Sequence, residues 1–205
     1  MAKIKLTKGE LKIQRDALGQ YERYLPTLQL KKQQLQLEIL HQLTIFEEKK
    51  YSQDKARRLI ISWVGLLDDP VISIKPYLII NKITTGLKNI AGVDMPVYEN
   101  IEFPPAEYDL FMVPLWVDAA IDNLRSYISI DAELSVIERG IAILRHELRI
   151  TAQRVNLFEK VKIPESKENI RLIKIYIGDQ LSNAVGRCKI AKRKIEELVL
   201  EGAAV

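Results

Sequence analysis

The 205-residue chain carries 31 Lys and Arg against 27 Asp and Glu, with 47% hydrophobic residues, only 7% aromatics and nine glycines, a balance rich in helix formers that disfavours a compact all-β domain. Its single cysteine, Cys188, excludes an internal disulfide framework and a cysteine-based zinc site, and suits a reducing compartment. Residues 1–20 lack the apolar stretch of a secretory signal, and no apolar run approaches the roughly 20 residues that cross a bilayer, so the expectation is a cytoplasmic chain with no direct membrane insertion, able to serve a membrane complex only as a peripheral part.

Charge divides the chain into three blocks. Residues 1–60 hold 13 basic and 7 acidic side chains, residues 61–130 hold 4 and 9, and residues 131–205 hold 14 and 11. Both ends are basic and the middle is acidic. The organisation that follows is mainly α: an N-terminal long helix over 1–69, a middle β-hairpin and irregular region over 70–115, and a C-terminal long helix over 116–205.

Thr7-Lys8-Gly9-Glu10 opens the first segment as a capping box, in which a threonine hydroxyl and a glutamate three residues later satisfy backbone amides at a helix start. Beyond it, Leu11, Leu18, Leu25 and Ile39 fall on one seven-residue series, and Tyr21, Leu28 and Leu35 on a second offset by three, which is a coiled-coil seam. Lys32 interrupts the seam, and Leu43 and Phe46 are expected to resume it after a one-residue shift. Apolar spacing runs on to Trp63 and Leu67. As a single helix, Thr7 to Leu67 would span about 90 Å at the standard rise. Pro26 lacks an amide hydrogen, yet Leu28 and Leu35 keep the phase of the earlier leucines, so the expectation is a kinked but continuous helix.

The middle segment changes character. Pro76-Tyr77-Leu78-Ile79-Ile80-Asn81-Lys82-Ile83 reads as a strand bounded by Pro76 and Gly86. Asn89-Ile90-Ala91-Gly92-Val93 supplies turn residues, and Val97 to Phe103 alternates as a second strand. Pro104, Pro105 and Pro114 then punctuate an irregular stretch before helix resumes near Val117.

In the last segment Leu134, Ile137, Ile141, Leu144, Leu148, Thr151, Val155 and Phe158 step three and four residues without error. After Pro164 the seam is expected to resume at Ile170, Ile173 and Ile177, then Leu181, Ala184, Cys188, Ala191, Ile195 and Leu198. Two long apolar stripes cannot both face water, and the short acidic middle lets the chain double back, so they should pair antiparallel. The seam residues singled out are Leu11, Leu18, Leu28, Leu35, Leu144, Leu148, Val155 and Ile195.

No catalytic constellation emerges. His41 and His146 each sit inside a long helix without metal-ligand spacing, and the glycines form no phosphate-cradling loop. Glu47-Glu48 and Asp68-Asp69 are adjacent pairs, which on a helix point to different faces. No catalytic, cofactor or metal site is therefore expected. Basic residues are interleaved with acids and no nucleic-acid module accompanies them, which disfavours a nucleic-acid-binding hairpin. A coiled-coil scaffold or adaptor shares every periodicity described so far.

Three blocks go further: Leu6-Thr7-Lys8-Gly9-Glu10-Leu11, Asn89-Ile90-Ala91-Gly92-Val93 with Met95-Pro96, and Thr151-Ala152-Gln153-Arg154-Val155-Asn156-Leu157-Phe158 running to Ile163-Pro164. In order and spacing the chain resembles the D-subunits of V-type and A-type ATPases, which form the central stalk. The gamma shaft of F-type enzymes is mechanically related, but residues 70–115 are too few for its α/β insert. The resemblance implies a torque-transmitting shaft without an active site, working between ATP hydrolysis or synthesis in the head and proton or sodium translocation in the membrane ring. It implies as partners the alternating catalytic and regulatory (A and B) subunits of the head, the small F-subunit of the stalk, and the funnel-shaped subunit on the membrane rotor ring. It also implies that Pro164 kinks one long helix, whereas Pro26 departs from the family pattern. Exposed Lys8, Lys12, Arg15, Arg187, Lys192 and Arg193 are the expected bearing contacts with acidic loops of the surrounding sleeve.

Overall fold

The computed structural model describes residues 5–68, 74–108 and 113–202. Helix α1 runs from Lys8 to Trp63, followed by a 3-10 turn at Val64–Asp68 and a second at Lys75–Leu78. Strands β1 (Lys82–Ile90) and β2 (Val93–Glu102) form one antiparallel pair, and helix α2 covers Trp116–Leu157. A π-helical turn at Phe158–Lys162 leads directly into helix α3, Ile163–Gly202. The chain is thus mainly α with a small β-hairpin in the middle. Asp69, at the end of the first expected segment, lies outside the described residues.

Local chemistry explains the helix boundaries. The Glu10 amide donates to the Thr7 hydroxyl at 3.2 Å, so one half of the expected capping box starts α1 at Lys8, while the Glu10 carboxylate accepts from Gln14 and the Thr7 amide donates to the Lys5 carbonyl. Pro26 lies inside α1 without ending it. Burial along α1 shows a seam simpler than the sequence suggests. Leu11, Leu18, Leu25, Lys32, Phe46, Gln53 and Ile60 are half-buried and Ile39 is buried, one residue per heptad. Gln14, Tyr21, Leu28, Lys49, Ala56 and Trp63 are half-buried, with Leu35 and Gln42 buried, on the second series. The expected one-residue shift after Lys32 does not occur. Phe46 lies on the unshifted series, and Gln42 rather than Leu43 fills the next buried seam position. Lys32 stays on the seam because its aliphatic stem can pack while its ammonium reaches water.

The contacts fall into two compact units, Met1–Gln29 with Gln153–Val205, and Leu30–Ala152. In the second unit, Lys31 pairs with Glu147 at 3.6 Å, Lys49 with Glu133 at 2.8 Å, and Gln53 donates to Asp131 at 2.7 Å. As numbers rise on α1 they fall on α2, so these helices are antiparallel. Leu35 and Leu144, both 0% exposed, join Ile39, Val93 and Met95 in one apolar cluster, so the β-hairpin packs on the seam itself. A second cluster of Ile74, Val117 and Ile121, flanked by Leu67, Tyr77, Tyr108 and Trp116, closes the other end of this unit.

The second strand, expected over Val97–Phe103, falls within β2 except for Phe103, whereas the first begins later than expected, at Lys82. The segment predicted as the first strand, from Pro76, is instead a 3-10 turn over Lys75–Leu78, because proline's fixed φ suits the first turn of a helix. The hairpin closes through a two-residue loop in which Ala91 (φ 52°) and Gly92 (φ 75°) are both left-handed, the geometry whose twist matches paired strands. Asn89 stabilises it, its side-chain oxygen accepting from the Gly92 amide at 3.1 Å and its amide nitrogen donating to Asp94 at 2.6 Å. Strand pairing therefore extends to the loop, Ile90 opposite Val93, instead of ending at Gly86. A bulge at Thr84/Thr85 absorbs one extra residue of β2.

In the first unit, Asn169 reaches Gln14 at 3.5 Å, Lys167 pairs with Glu22 at 3.2 Å, and the Tyr21 and Phe158 rings lie 5.2 Å apart. The returning chain again runs antiparallel to α1. Because α1 begins at Lys8, α3 outlasts its partner, and every residue from Gly178 to Glu197 is exposed.

Candidate functional site

The expected seam residues divide by position. Leu35, Leu144 and Leu148 meet in the cluster under the β-hairpin, and Val155 is 4% exposed. Leu11, Leu18 and Leu28 are half-buried on α1. Ile195 differs: it is 60% exposed, because no residue of α1 lies opposite that part of α3. Leu181, Val185 and Ile190 are likewise more than half exposed, and Cys188 is a free exposed thiol. The apolar spacing read there as an intramolecular seam is an unpartnered face among the described residues of the first unit.

The six basic residues occupy outward positions. Lys8, Lys12 and Arg15 are exposed on the first turns of α1, and Arg187, Lys192 and Arg193 on the unpartnered part of α3. Lys192 pairs along its helix with Glu196 at 3.8 Å, and Arg193 with Glu197 at 2.9 Å. Exposed i,i+4 pairs hold their charges weakly, so both cations stay available to a partner surface. Arg187 lies amid the exposed apolar residues of α3, which sets positive charge beside exposed hydrocarbon.

Around the β-hairpin, an arginine that sequence reading did not single out organises the backbone. Arg125 on α2 donates to the Tyr77 carbonyl at 3.0 and 3.1 Å and to the Pro104 carbonyl at 2.6 Å, while its guanidinium lies 5.3 Å from the Phe103 ring centre. One side chain thereby fixes the segments before and after the hairpin to the same helix. The only signal in the sequence is a lone cation following Asp118 and Asp122. Nearby, the Tyr108 hydroxyl donates to Asp118, and this bond holds the phenol above its ordinary pKa. On α1, exposed Leu37 and Leu40 with Gln33, Gln36 and Leu148 line an open apolar groove in the second unit.

Among the described residues no group of His, Cys, Asp and Glu is arranged to hold a metal, and no helix is long and apolar enough to cross a membrane. The class defined by this architecture is a helical-hairpin protein with a packed β-hairpin and an exposed length of single helix. The model of the family of ATP synthase D-subunits matches residues 10–193. The V-type ATP synthase D-subunit of Borreliella burgdorferi is 45% identical over 95% of this chain and 96% of its own length. Proteins of the same name in Chlamydia felis and Chlamydia trachomatis are 34% and 29% identical, each over 96% of this chain and 95% and 98% of their own lengths. The chain belongs to the family of ATP synthase D-subunits. It is accordingly a non-catalytic central stalk component and part of a rotary V/A-type ATPase complex.

Proposed function

We propose that this stalk component is the rotor shaft itself, carrying torque between ATP hydrolysis or synthesis in the head and proton or sodium translocation in the membrane ring. The observation that carries this reading is the heptad seam of α1, unbroken from Leu11 to Trp63. A shaft must resist splaying, and each buried Leu or Ile of such a seam contributes roughly 1.5–3 kcal/mol. A shaft must also present unlike faces as it turns. The polar seam residues Gln42 and Lys49, the β-hairpin on one side and the uneven charge supply that asymmetry.

In this reading the exposed tail of α3 and the first turns of α1 enter the head formed by the catalytic A and regulatory B subunits. Leu181, Val185 and Ile195 meet apolar collar surfaces there, and Lys8, Lys12, Arg15, Arg187, Lys192 and Arg193 meet acidic loops. The seam residues Leu11, Leu18, Leu28, Leu35, Leu144, Leu148 and Val155 hold the two helices together, and the middle region meets the small F-subunit of the stalk and the funnel-shaped subunit on the ring. The complex would hold the chain on the cytoplasmic side, peripheral to the membrane.

Cys188 supplies the test. In the isolated chain its exposed thiol should react fully with a bulky maleimide, and in the assembled complex the head should shield it. Complete labelling in an intact, ATP-hydrolysing complex would place the α3 tail outside the head and overturn this reading.

A further inference from the structure

We infer that Gly19, Tyr21 and Pro26 on α1, with Phe158, Lys162 and Pro164 on the returning chain, form a compliant collar, a level of the coiled coil at which both helices yield together to twist. All six residues lie in the first unit. An α-helix resists deformation through its ladder of backbone hydrogen bonds. On α1 that ladder contains Pro26, which cannot donate to the Glu22 carbonyl, seven residues after Gly19, so the two poorest helix formers fall within two turns.

Across the seam the second ladder is altered at the same level. The Ile163 amide bonds to the Phe158 carbonyl, a five-residue reach that defines the π turn. Two causes act there. Pro164 cannot donate to the Lys160 carbonyl, and the chain holds one residue more than the heptad allows: buried Thr151 leads by seven to half-buried Phe158, but the next buried seam position, Ser166, follows by eight. The π turn takes up that extra residue and returns Ser166, Ile170 and Ile173 to the seam, all buried.

The two interruptions, far apart in sequence, are matched in space. The Tyr21 ring rests against Phe158, the first residue of the π turn, at 5.2 Å, and Glu22, whose carbonyl Pro26 leaves without its amide partner, pairs through its carboxylate with Lys167 at 3.2 Å. Side-chain contacts thus tie together the two places where the helical ladders are interrupted. Deformation of one helix is passed to the other instead of parting the seam.

The test is hydrogen exchange followed by mass spectrometry on the full chain. Peptides covering residues 19–27 and 157–165 should exchange at least about tenfold faster than those covering 35–43 and 141–149. Pro26→Ala restores an amide opposite the Glu22 carbonyl and should slow exchange about threefold or more in its own segment and, across the seam, in 157–165. Gly19→Ala is the second variant, since the added methyl meets nothing within 4 Å, and it should produce the same cross-seam slowing. Protection in either collar segment equal to that of the reference peptides would overturn the inference, as would slowing confined to α1 in both variants. The collar requires only the coiled coil, so its failure would leave the rotor-shaft reading standing.

Discussion

Met95 of the β-hairpin lies directly over Gly140 of α2: a Cβ placed on the glycine would come 2.9 Å from Met95 Cγ and 3.1 Å from its sulfur. The hairpin reaches the seam only because that position carries no side chain. Gly140→Leu should therefore lift the hairpin from the Leu35–Leu144 cluster. The expected cost is about 1–3 kcal/mol, read as a lowered midpoint in urea unfolding and faster proteolysis within residues 82–102. Unchanged stability and protection would mean that the hairpin is not held there.

Leu144 is fully buried, and a charge in its place would have no partner. Leu144→Asp should abolish the cooperative helical unfolding transition seen by circular dichroism, while Leu144→Ala should lower stability by about 2–5 kcal/mol. A stable, cooperatively folding Leu144→Asp chain would contradict the seam assignment.

Ala91 holds a left-handed backbone that costs a residue with a Cβ but not a glycine. Ala91→Gly should raise stability by about 0.5–1 kcal/mol, and Ala91→Val should lower it by a larger amount. Thermal midpoints of the two variants, moving in opposite directions, check this.

Arg125 bonds to the backbone on both sides of the hairpin. Arg125→Ala strands the Tyr77 and Pro104 carbonyls and should cost about 1–3 kcal/mol. Limited proteolysis should then cut between residues 74 and 108 well before either long helix. Arg125→Lys, with one point charge in place of a fork, should restore only part of the protection.

On the rotor-shaft reading, replacing Lys12, Arg15 and Arg187 together by alanine should leave the melting temperature of the isolated chain within about 2 °C of the parent, since exposed charges contribute little to folding. Assembly with the head should slow and lose much of its salt dependence. Equal assembly rates at low and high salt for parent and triple variant alike would remove these residues from the bearing.

Much of this architecture is written in the spacing of Leu and Ile, because a coiled coil needs little beyond a repeated apolar stripe. The spacing misleads where polar residues take seam positions. Gln42 is buried with its side chain bonded to Glu38 at 2.8 Å, and Lys49 uses its stem while its ammonium meets Glu133; neither registers as apolar. The π turn is only partly legible: Ile170, Ile173 and Ile177 stand one residue off the heptads that Val155 and Phe158 set, but a shift of phase does not say which backbone form takes it up. Pro76 is ambiguous because a proline at the edge of an apolar run marks a strand end and a 3-10 start equally well. Ile195 shows the opposite limit. Its spacing is that of a seam, but periodicity records only that a face is apolar and not which molecule covers it.

The uneven lengths of the paired helices give the hairpin of the first unit a direction. Among the described residues, α3 is the one helix past the start of α1, about 10–12 Å across with its side chains, so an opening too tight for the pair would still admit it. Any ring that closes around this tip must receive it point first. On the rotor-shaft reading, insertion would stop at the level of Lys8, so the start of α1 would set the depth of seating, as a shoulder sets the depth of a peg.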